Sequence, residues 1–540
     1  MRRGKISYRP FYRPRSLLLS TLLLLIAYIA LRSLAVTDVQ DLPVAPFEVR
    51  FYDTQALCAL AYDANTRTLY WPISSNEEMR IRALSVNNGA ARILFSDGYH
   101  IDYHNPQKIT ISDEKSRFDA WVQFTPLPVV NIRTDSGEPP ADGYRDAYQH
   151  DVLTPCTVSV YDPNWQVNDG IYGIQYTGSV HLRGGSTRKM DKKSYRFNFS
   201  TTRDGIDKKR QIPLLGMHSN DGWVLDALSV DHSLVRVPVG ERVWNELLLT
   251  HEPPYIRNTL TGQYVEILLN GAYQGLYYLR VPIQGATLGL DSPYGVLFTD
   301  HGYANIDLDA AYTKTGKQNR LQTMSISYPK GLEDYDAYWP FVAETMKKLM
   351  DKMYAGQGDA QELLDIENAT DLWLFNQLLY SIDTSEHTKN VFYSKRDWRD
   401  DAEKLWLTPW DIDLTMQLSI CGHDASAVSD GHVIGGLFCT KSVPPDAVVK
   451  MPLLDYLLEP EYSEGTALLK ARWKELRTSA WSQNALTKYI EEKEEFLRQS
   501  GAAQRDAVLW KNEDIFEQIK QMKCWLRERA VFLDRYIGSL

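Results

Sequence analysis

The sequence contains few cysteines, since only five occur among its 540 residues. That number is too small for a fold built mainly from disulfides, which excludes the class of small disulfide-rich secreted proteins. Neither a Cys-x-x-Cys pair nor a mixed cluster of Cys and His occurs, so nothing indicates a structural zinc site. Cys421 and Cys439 bracket a loop and could pair in an oxidising compartment, although a buried free thiol explains each of them equally well.

Internal repeats and low-complexity segments are also absent, which excludes solenoid and disordered architectures. The apolar and charged fractions, 44% and 24%, are those of ordinary globular proteins. A chain of 540 residues is too long for one hydrophobic core, so two or more domains are expected.

Outside the N-terminus, basic residues are fewer than acidic ones. The formal net charge is −10, but residues 1–32 carry seven Lys and Arg and no acid, which leaves a balance of −17 for the remainder. An acidic body repels phosphate backbones, and this argues against nucleic acid as a general partner.

Only one long apolar run occurs, at residues 16–31, and it follows six basic residues. As a helix it spans ~24 Å of a hydrocarbon core that is ~30 Å thick. The helix therefore has to continue to Val36, with the Arg32 side chain extended towards the membrane surface.

This pattern predicts a single transmembrane anchor over residues 16–36. The basic residues 1–15 favour a cytoplasmic N-terminus, with the main body outside the cell membrane. The alternative is a cleaved signal peptide, because Ser33-Leu34-Ala35 resembles a cleavage site.

The pattern changes along the rest of the chain. Residues 47–130 alternate and are rich in β-branched and aromatic residues, which predicts a small β-rich domain. Residues 131–150 contain the glycines and prolines of a linker. In residues 151–540 strands come first and helices follow from about Ala337, and this order indicates an α+β domain with two lobes.

Two clusters precede the helical region. Arg183-Gly184-Gly185-Ser186-Thr187 forms a turn whose amides could approach a phosphate, and Lys192 and Lys193 follow it. Glu241, on a predicted helix, could orient one of these lysines by an ion pair. The alternatives are a plain hairpin turn and a solvated surface glutamate.

Two further clusters carry acids. Asp383 follows an apolar helix and precedes Asn390 and an aromatic strand, while Asp411 and Asp413 follow a strand that ends at Pro409-Trp410. A carboxylate can accept the proton of an attacking hydroxyl, and nearby Asn and Asp oxygens suit a divalent metal. Each acid could instead cap a helix or form a turn.

The order Lys, Glu, Asp, Asn, Asp is the functional order of protein kinases, although none of their usual motif spellings is present. From about Leu127 to Leu540 the chain resembles the CotH (spore-coat-protein-H-like) kinase family of atypical protein kinases. The resemblance rests on residues 182–187 and 192–195, on residues 264–277 with their Asn270-Gly271 turn, and on residues 409–413 and 525–529.

The resemblance implies transfer of the ATP γ-phosphate to Ser or Thr of an envelope or coat protein, with Mg²⁺ or Mn²⁺. It implies Asp383 as the catalytic base. Its metal-binding residues would be Asn390, Asp411 and Asp413. Its nucleotide-binding residues would be Lys193 (or Lys192) with its partner Glu241, and Arg183, Gly184, Gly185 and Ser186 in the covering loop.

A non-catalytic protein of the same fold, which binds partners during surface or coat assembly, is the alternative. Arg280 motivates it, since this position departs from the acid expected of the family. An outward-facing site, where ATP is scarce, motivates it as well.

Overall fold

The computed structural model describes most of the chain after residue 48. The described residues are 49–52, 57–59, 61–74, 84–86, 89–112, 117–144, 151–168, 173–202, 209–250, 260–300, 320–321, 324–330, 335–356, 360–385, 389–420, 440–512 and 514–540. The predicted anchor at residues 16–36, and both Cys421 and Cys439, lie outside these ranges. Within them, no helix has the length and apolar character needed to span a bilayer.

An eight-stranded sheet forms the N-terminal part. Its strands are β1 (Val49–Tyr52), β2 (Leu57–Ala59), β3 (Ala61–Asp63), β4 (Thr68–Pro72), β5 (Leu84–Val86), β6 (Gly89–Phe95), β7 (Gln107–Ser112) and β8 (Arg117–Thr125), in the order β2-β1-β5-β6-β7-β8-β4-β3. The sheet packs on the next unit through a cluster that includes Val122, Phe124 and Leu268. Tyr70 stacks on Tyr273 in the same contact, with ring centroids 4.5 Å apart.

A closed barrel follows. The elements of this region are β9 (Val129–Thr134), β10 (Thr154–Tyr161), β11 (Gly173–Arg183), β12 (Ser194–Phe199), the hairpin β13 (Ile212–Leu214) and β14 (Met217–Asn220), β15 (Gly222–Asp226), helix α1 (Arg236–Thr250), β16 (Gly262–Leu269) and β17 (Ala272–Arg280). The barrel order is β10-β11-β12-β15-β17-β16-β9. Residues 131–134, which the sequence assigned to a linker, therefore belong to a barrel strand, because their backbone pairs with β10 and β16.

Side chains alternate between the two faces of the barrel wall, as the period of a strand requires. Phe197, Trp223 and Leu279 point into the barrel and form its core with their neighbours. Tyr264, Leu276 and Tyr278 point outward and join a second core with α1 and the C-terminal helices. The outer face is therefore the one that meets the rest of the protein.

The remaining strands form a five-stranded sheet and a short hairpin. They are β18 (Val296–Asp300), β19 (Arg320–Leu321), β20 (Met324–Tyr328), β21 (Val391–Lys395) and β22 (Trp406–Pro409), in the order β19-β20-β18-β21-β22, and the hairpin β23 (Leu418–Ile420) with β24 (Thr440–Ser442).

Helices dominate after residue 338, as predicted. They are α2 (Trp339–Ala355), α3 (Ile366–Leu379), α4 (Ser463–Thr478), α5 (Gln483–Ser500), α6 (Ala502–Trp510) and α7 (Ile515–Ser539). The apolar stripe of α7, from Ile515 to Ile537, is buried as its helical period predicted. Sheets followed by packed helices confirm the α+β class.

Candidate functional site

The glycine loop after β11 is a tight turn that an arginine holds closed. Gly184 has a φ of +103°, and a Cβ there would lie 2.0 Å from Oγ1 of Thr187, so only glycine fits. A single 3₁₀ turn, Ser186–Lys189, follows. Arg188 donates from Nε to the Gly184 carbonyl at 2.8 Å and from Nη2 to the Leu182 carbonyl at 2.8 Å. Gly185, by contrast, is exposed with open space around it.

The two lysines after this loop are both engaged within the protein. The Lys192 ammonium is buried and donates to Asp506 Oδ1 at 2.7 Å and to the Leu276 carbonyl at 2.6 Å. Lys193 donates to the Arg188 carbonyl at 2.6 Å. Lys192 thus fastens α6 to the barrel, and this correction removes it from the predicted phosphate-binding positions.

Helix α1 is fixed at its start by a buried ion pair. Asp231 accepts from the Arg236 backbone N–H at 2.7 Å and from its Nη1 at 2.6 Å, which satisfies the end of the helix. The Arg236 Nε donates to the Thr415 carbonyl at 3.0 Å. The helix is therefore tied to the segment that contains Asp411 and Asp413.

Glu241 has a different partner from the one predicted. Its carboxylate is buried and accepts from Arg280 Nε at 2.8 Å and from the Tyr278 hydroxyl at 2.9 Å. The predicted pairing with Lys193 is therefore wrong, because Arg280 points outward from β17 straight at α1. Burial raises the pKa of Glu241, while the Arg280 charge opposes that rise.

Arg280 was missed as a site residue. The alternation of β17 carries the signal: Tyr277 and Leu279 fill the barrel core, so Arg280 has to lie on the outer face. It is fully buried there and its Nη1 also donates to Asp226 Oδ2 at 3.2 Å.

The loop that carries Asp383 is built by side chains at the end of α3. Asn376 donates from Nδ2 to the Thr384 carbonyl at 3.1 Å, and its Oδ1 accepts from the Thr384 hydroxyl at 2.7 Å. The hydroxyls of Ser381 and Thr384 lie 2.7 Å apart. These contacts fix Ser381 and Thr384, which lie on either side of the half-buried Asp383.

The segment 409–413 leaves the end of β22 next to the start of β21. Val391 pairs with Pro409, and the Trp410 N–H donates to the Asn390 carbonyl at 2.8 Å. Asn390 and Asp411 both adopt a left-handed backbone, with φ of +61° and +60°. Such conformations are uncommon for residues other than glycine, although Asn and Asp adopt them more readily than most, and they are frequent at functional sites.

Four other carboxylates act on Asp413. The pKa of Asp413 is raised well above its usual range, first by burial and then by the charges of Asp411, Asp226, Asp383 and Asp231. Asp226 and Asp231 are paired with Arg280 and Arg236. The predicted acids Asp383 and Asp411 are therefore near enough to act on Asp413, and so is Asp226, which sequence reasoning did not select.

Trp410 joins the acids to the outer face of the barrel. The guanidinium carbon of Arg280 lies 4.0 Å from the centroid of the Trp410 ring, and that of Arg183 lies 5.4 Å from it. The start of the glycine loop and the end of β17 therefore both reach the tryptophan that precedes Asp411.

A row of side chains crosses this outer face in register. His181 pairs with Arg196, Arg196 with Val224 and Val224 with Arg280. Burial lowers the pKa of His181 to about 3, so the imidazole is neutral, and the nearby arginines push in the same direction. The row therefore places the positive charges of Arg196 and Arg280 on either side of β15, which contributes only the aliphatic side chain of Val224.

A lysine adds to this positive region. Burial lowers the pKa of Lys330 to about 8 against the attraction of Asp221, whose carboxylate lies 3.8 Å away, and the charge of Arg196 lowers it further.

The side-chain oxygens of this region suit a hard cation that is coordinated partly by the phosphates of a bound substrate. In the part of the chain that the structure describes, no group of three His, Cys, Asp or Glu side chains is arranged to hold a metal. Mg²⁺ commonly takes only one or two carboxylates, together with substrate phosphates. Asp411 and Asp413 provide such a pair, and the buried Nδ2 of Asn390 beside them finds no acceptor among the described residues.

Comparison with known proteins identifies the family of the chain. The profile of the CotH kinase protein family matches residues 180–533, which is about two thirds of the chain; this range includes the glycine loop, Glu241, Arg280, Asp226, Asp383, Asp411 and Asp413. A search of curated proteins found no match. The chain therefore belongs to the CotH kinase protein family.

Proposed function

We propose that the protein is a membrane-anchored atypical protein kinase that transfers the γ-phosphate of ATP to Ser or Thr of an envelope or coat protein. The observation that carries the proposal is that Arg280, on the basic outer face of the barrel, lies against Trp410, the residue before Asp411, while Asp226, Asp383 and Asp411 act electrostatically on Asp413. Family membership supports the same class of reaction. In this proposal the barrel with α1 is one lobe, the later helices are the other, and the site lies between them.

Asp383 is the proposed catalytic base. Its carboxylate accepts the proton of the substrate hydroxyl while the hydroxyl oxygen bonds to the γ-phosphorus and the bond to the bridging oxygen breaks, which leaves ADP. The contacts of Asn376 with Thr384 support this role, because they fix the backbone on one side of the base. Rigid placement of the base is a large part of catalysis in phosphoryl transfer.

Asp411 and Asp413 are the proposed ligands of Mg²⁺ or Mn²⁺, with Asn390 beside them. A divalent ion at this position supplies positive charge to the phosphate oxygens. The raised pKa of Asp413 supports the assignment, because repelling carboxylates bind a cation favourably.

The glycine loop has two parts in this proposal. Gly185 is exposed and open, so its backbone N–H can approach a phosphate. Ser186 begins the following turn, and Arg183 is directed towards Trp410. Lys193 lies at the edge of the loop and remains a phosphate-binding candidate, while Glu241 acts through Arg280.

The membrane anchor at residues 16–36 and an outward-facing body remain part of the proposal. The basic residues before the apolar run support this orientation. It requires nucleotide on the outer side of the membrane. Protease treatment of intact cells that carry a C-terminal epitope tests the orientation, since an outward body loses the tag and a cytoplasmic body keeps it.

The kinase proposal is tested with the full-length chain in detergent, [γ-³²P]ATP and Mg²⁺ or Mn²⁺, with casein or the protein itself as acceptor. We expect metal-dependent transfer to Ser or Thr that falls 10²-fold or more in Asp383→Ala and in Asp411→Ala. Asp397→Ala is the matched control, because Asp397 lies in the turn after β21 and pairs with exposed Arg399. Transfer that is equal in all four proteins refutes the proposal.

A folded wild-type chain that binds no nucleotide under any metal condition supports the alternative, a CotH-fold protein that binds partners during coat or surface assembly. Binding without transfer separates a lost chemical step from a lost nucleotide site. Circular dichroism of each variant shows that the comparison is made between folded proteins.

A further inference from the structure

Arg280 carries an unused hydrogen-bonding capacity at the centre of the candidate site. Its side chain is 0% exposed, yet its Nη2 finds no acceptor among the residues that the structure describes. A buried charged donor without a partner is costly, so such a group in a native fold requires an explanation. The other nitrogens are satisfied by Glu241 and Asp226.

The surroundings of this guanidinium place it at the candidate site. The guanidinium is stacked on Trp410, the residue before Asp411, so Nη2 lies in the region where the acids meet the barrel face. Burial lowers the pKa of Arg280 but Glu241 and Asp226 raise it more, so the net shift is upward and the cation persists. Arg196, two strands away in the same row, adds a second charge.

The two lysines after the glycine loop already have partners within the protein. The ammonium of Lys192 is held by Asp506, and that of Lys193 donates to the backbone of Arg188. A guanidinium has five donors in a planar fork, so Arg280 can bind Glu241, Asp226 and a third oxygen simultaneously.

We propose that Nη2 of Arg280 donates to a phosphate oxygen of the bound nucleoside triphosphate. Glu241 and Asp226 hold the guanidinium in place, so the ion pair orients a phosphate-binding arginine rather than a lysine. This inference rests on the proposed kinase function and specifies which cation of the site meets the phosphates.

Equilibrium dialysis of the full-length chain with labelled ATP and labelled adenosine tests the inference. Arg280→Gln alone leaves the deeply buried Glu241 carboxylate without its cation, whereas Asp226 is partly exposed to solvent. The informative variant is therefore the double substitution Arg280→Gln with Glu241→Gln. We expect its affinity for ATP to fall about 10- to 100-fold, while its affinity for adenosine changes less than twofold. Glu241→Gln alone keeps the cation but removes one of its two anchors, so its ATP affinity should fall less than that of the double variant.

The pair Arg472 and Asp371 provides the matched control. Arg472 Nε donates to buried Asp371 at 2.7 Å between α4 and α3, and the double substitution to Gln and Asn should leave ATP affinity unchanged. If the Arg280 double variant does not fold, Arg280→Lys replaces it. That substitution keeps the charge near Glu241 but loses the fork, and should weaken ATP binding about fivefold or more with adenosine unaffected.

The outcomes separate the two proposals. Wild-type binding of ATP together with an Arg280 double variant (or Arg280→Lys, where that replaces it) that binds ATP within twofold of wild type overturns the role of Arg280 and leaves the kinase proposal standing. A wild-type chain that binds no ATP overturns both. Equal losses of ATP and adenosine also overturn the inference, because they indicate a distorted site rather than a missing phosphate contact.

Discussion

Helix α1 approaches the acidic segment so closely that one methyl group should disturb it. A Cβ at Gly240 would lie 2.7 Å from Cδ1 of Ile412, the residue between Asp411 and Asp413, and 3.6 Å from Cδ1 of Leu379. Gly240→Ala gains about 0.5–1 kcal/mol from helix propensity. It loses about 1–3 kcal/mol from overpacking, so the variant should be about 1 kcal/mol less stable than the wild type.

Ile412→Val removes the methyl group that is contacted. Alone it should cost about 0.5–1.5 kcal/mol, because it leaves a small cavity. In the double variant the alanine methyl occupies part of that space, so stability should return to within about 0.5 kcal/mol of the wild type. The expected coupling between the two sites is about 1–2 kcal/mol in favour of the double variant.

Urea titration followed by circular dichroism measures the four free energies of unfolding. The rate of phosphoryl transfer by these four proteins should follow the order of their stabilities. A shift of Ile412 also moves Asp411 and Asp413, which are its neighbours in the chain. A Gly240→Ala variant that is more stable than wild type, or effects of the two substitutions that simply add, would refute the close packing of α1 on this segment.

Two further predictions concern buried charge. Asp506→Ala leaves the Lys192 ammonium and the Leu276 N–H without their common acceptor, and should lower the free energy of unfolding by about 3–5 kcal/mol. Burial lowers the pKa of Lys192, and Asp506 opposes that shift. Without Asp506 the folded state holds the Lys192 proton less well still, so the free energy of unfolding rises more with pH in the variant than in the wild type. The loss should therefore shrink between pH 7 and pH 9.5 in urea titrations; equal losses contradict this. Asp413→Asn should stabilise the metal-free protein by about 1–2 kcal/mol at pH 8, because burial and Asp411 raise the pKa of Asp413 and its ionisation in the folded state is unfavourable. Thermal unfolding in EDTA should show the gap closing near pH 4, and a variant that is less stable at pH 8 contradicts the clustering of the acids.

Local patterns predicted the elements that depend on local physics. The period of the α7 stripe, from Ile515 to Ile537, was sufficient because a long helix buries one face whatever it packs against. Asp383, Asp411 and Asp413 were found because they follow well-defined elements and their residue type suits metal and proton chemistry. Their convergence is visible only in the fold.

Partnerships between distant residues could not be predicted in this way. The pattern of a glycine loop followed by lysines favoured phosphate binding by Lys192 or Lys193, yet Lys192 meets an aspartate that lies 314 positions later in the chain. The partner of Glu241 depends on which strand faces α1, and strand order within a barrel is not encoded in any single strand. Arg280, which motivated the non-catalytic alternative, is instead the residue that the structure places against Glu241 and Trp410.

The short helix α6 connects three parts of the protein. Arg505 donates to Glu266 of the barrel at 2.9 Å and to the Tyr103 carbonyl of the N-terminal sheet at 2.6 Å. The next residue, Asp506, receives Lys192 and the Leu276 N–H.

This arrangement has a consequence for the order of folding during synthesis. The barrel strands are complete on the ribosome when Arg280 emerges, but Lys192 and Glu266 have no counter-charge until α6 is made, more than 200 residues later. Contacts of such long sequence separation form slowly. The barrel therefore passes through a period with these charges unpaired and its apolar outer surface exposed to solvent, in which chaperones are expected to bind it. Its native state is reached only when the C-terminal helices arrive.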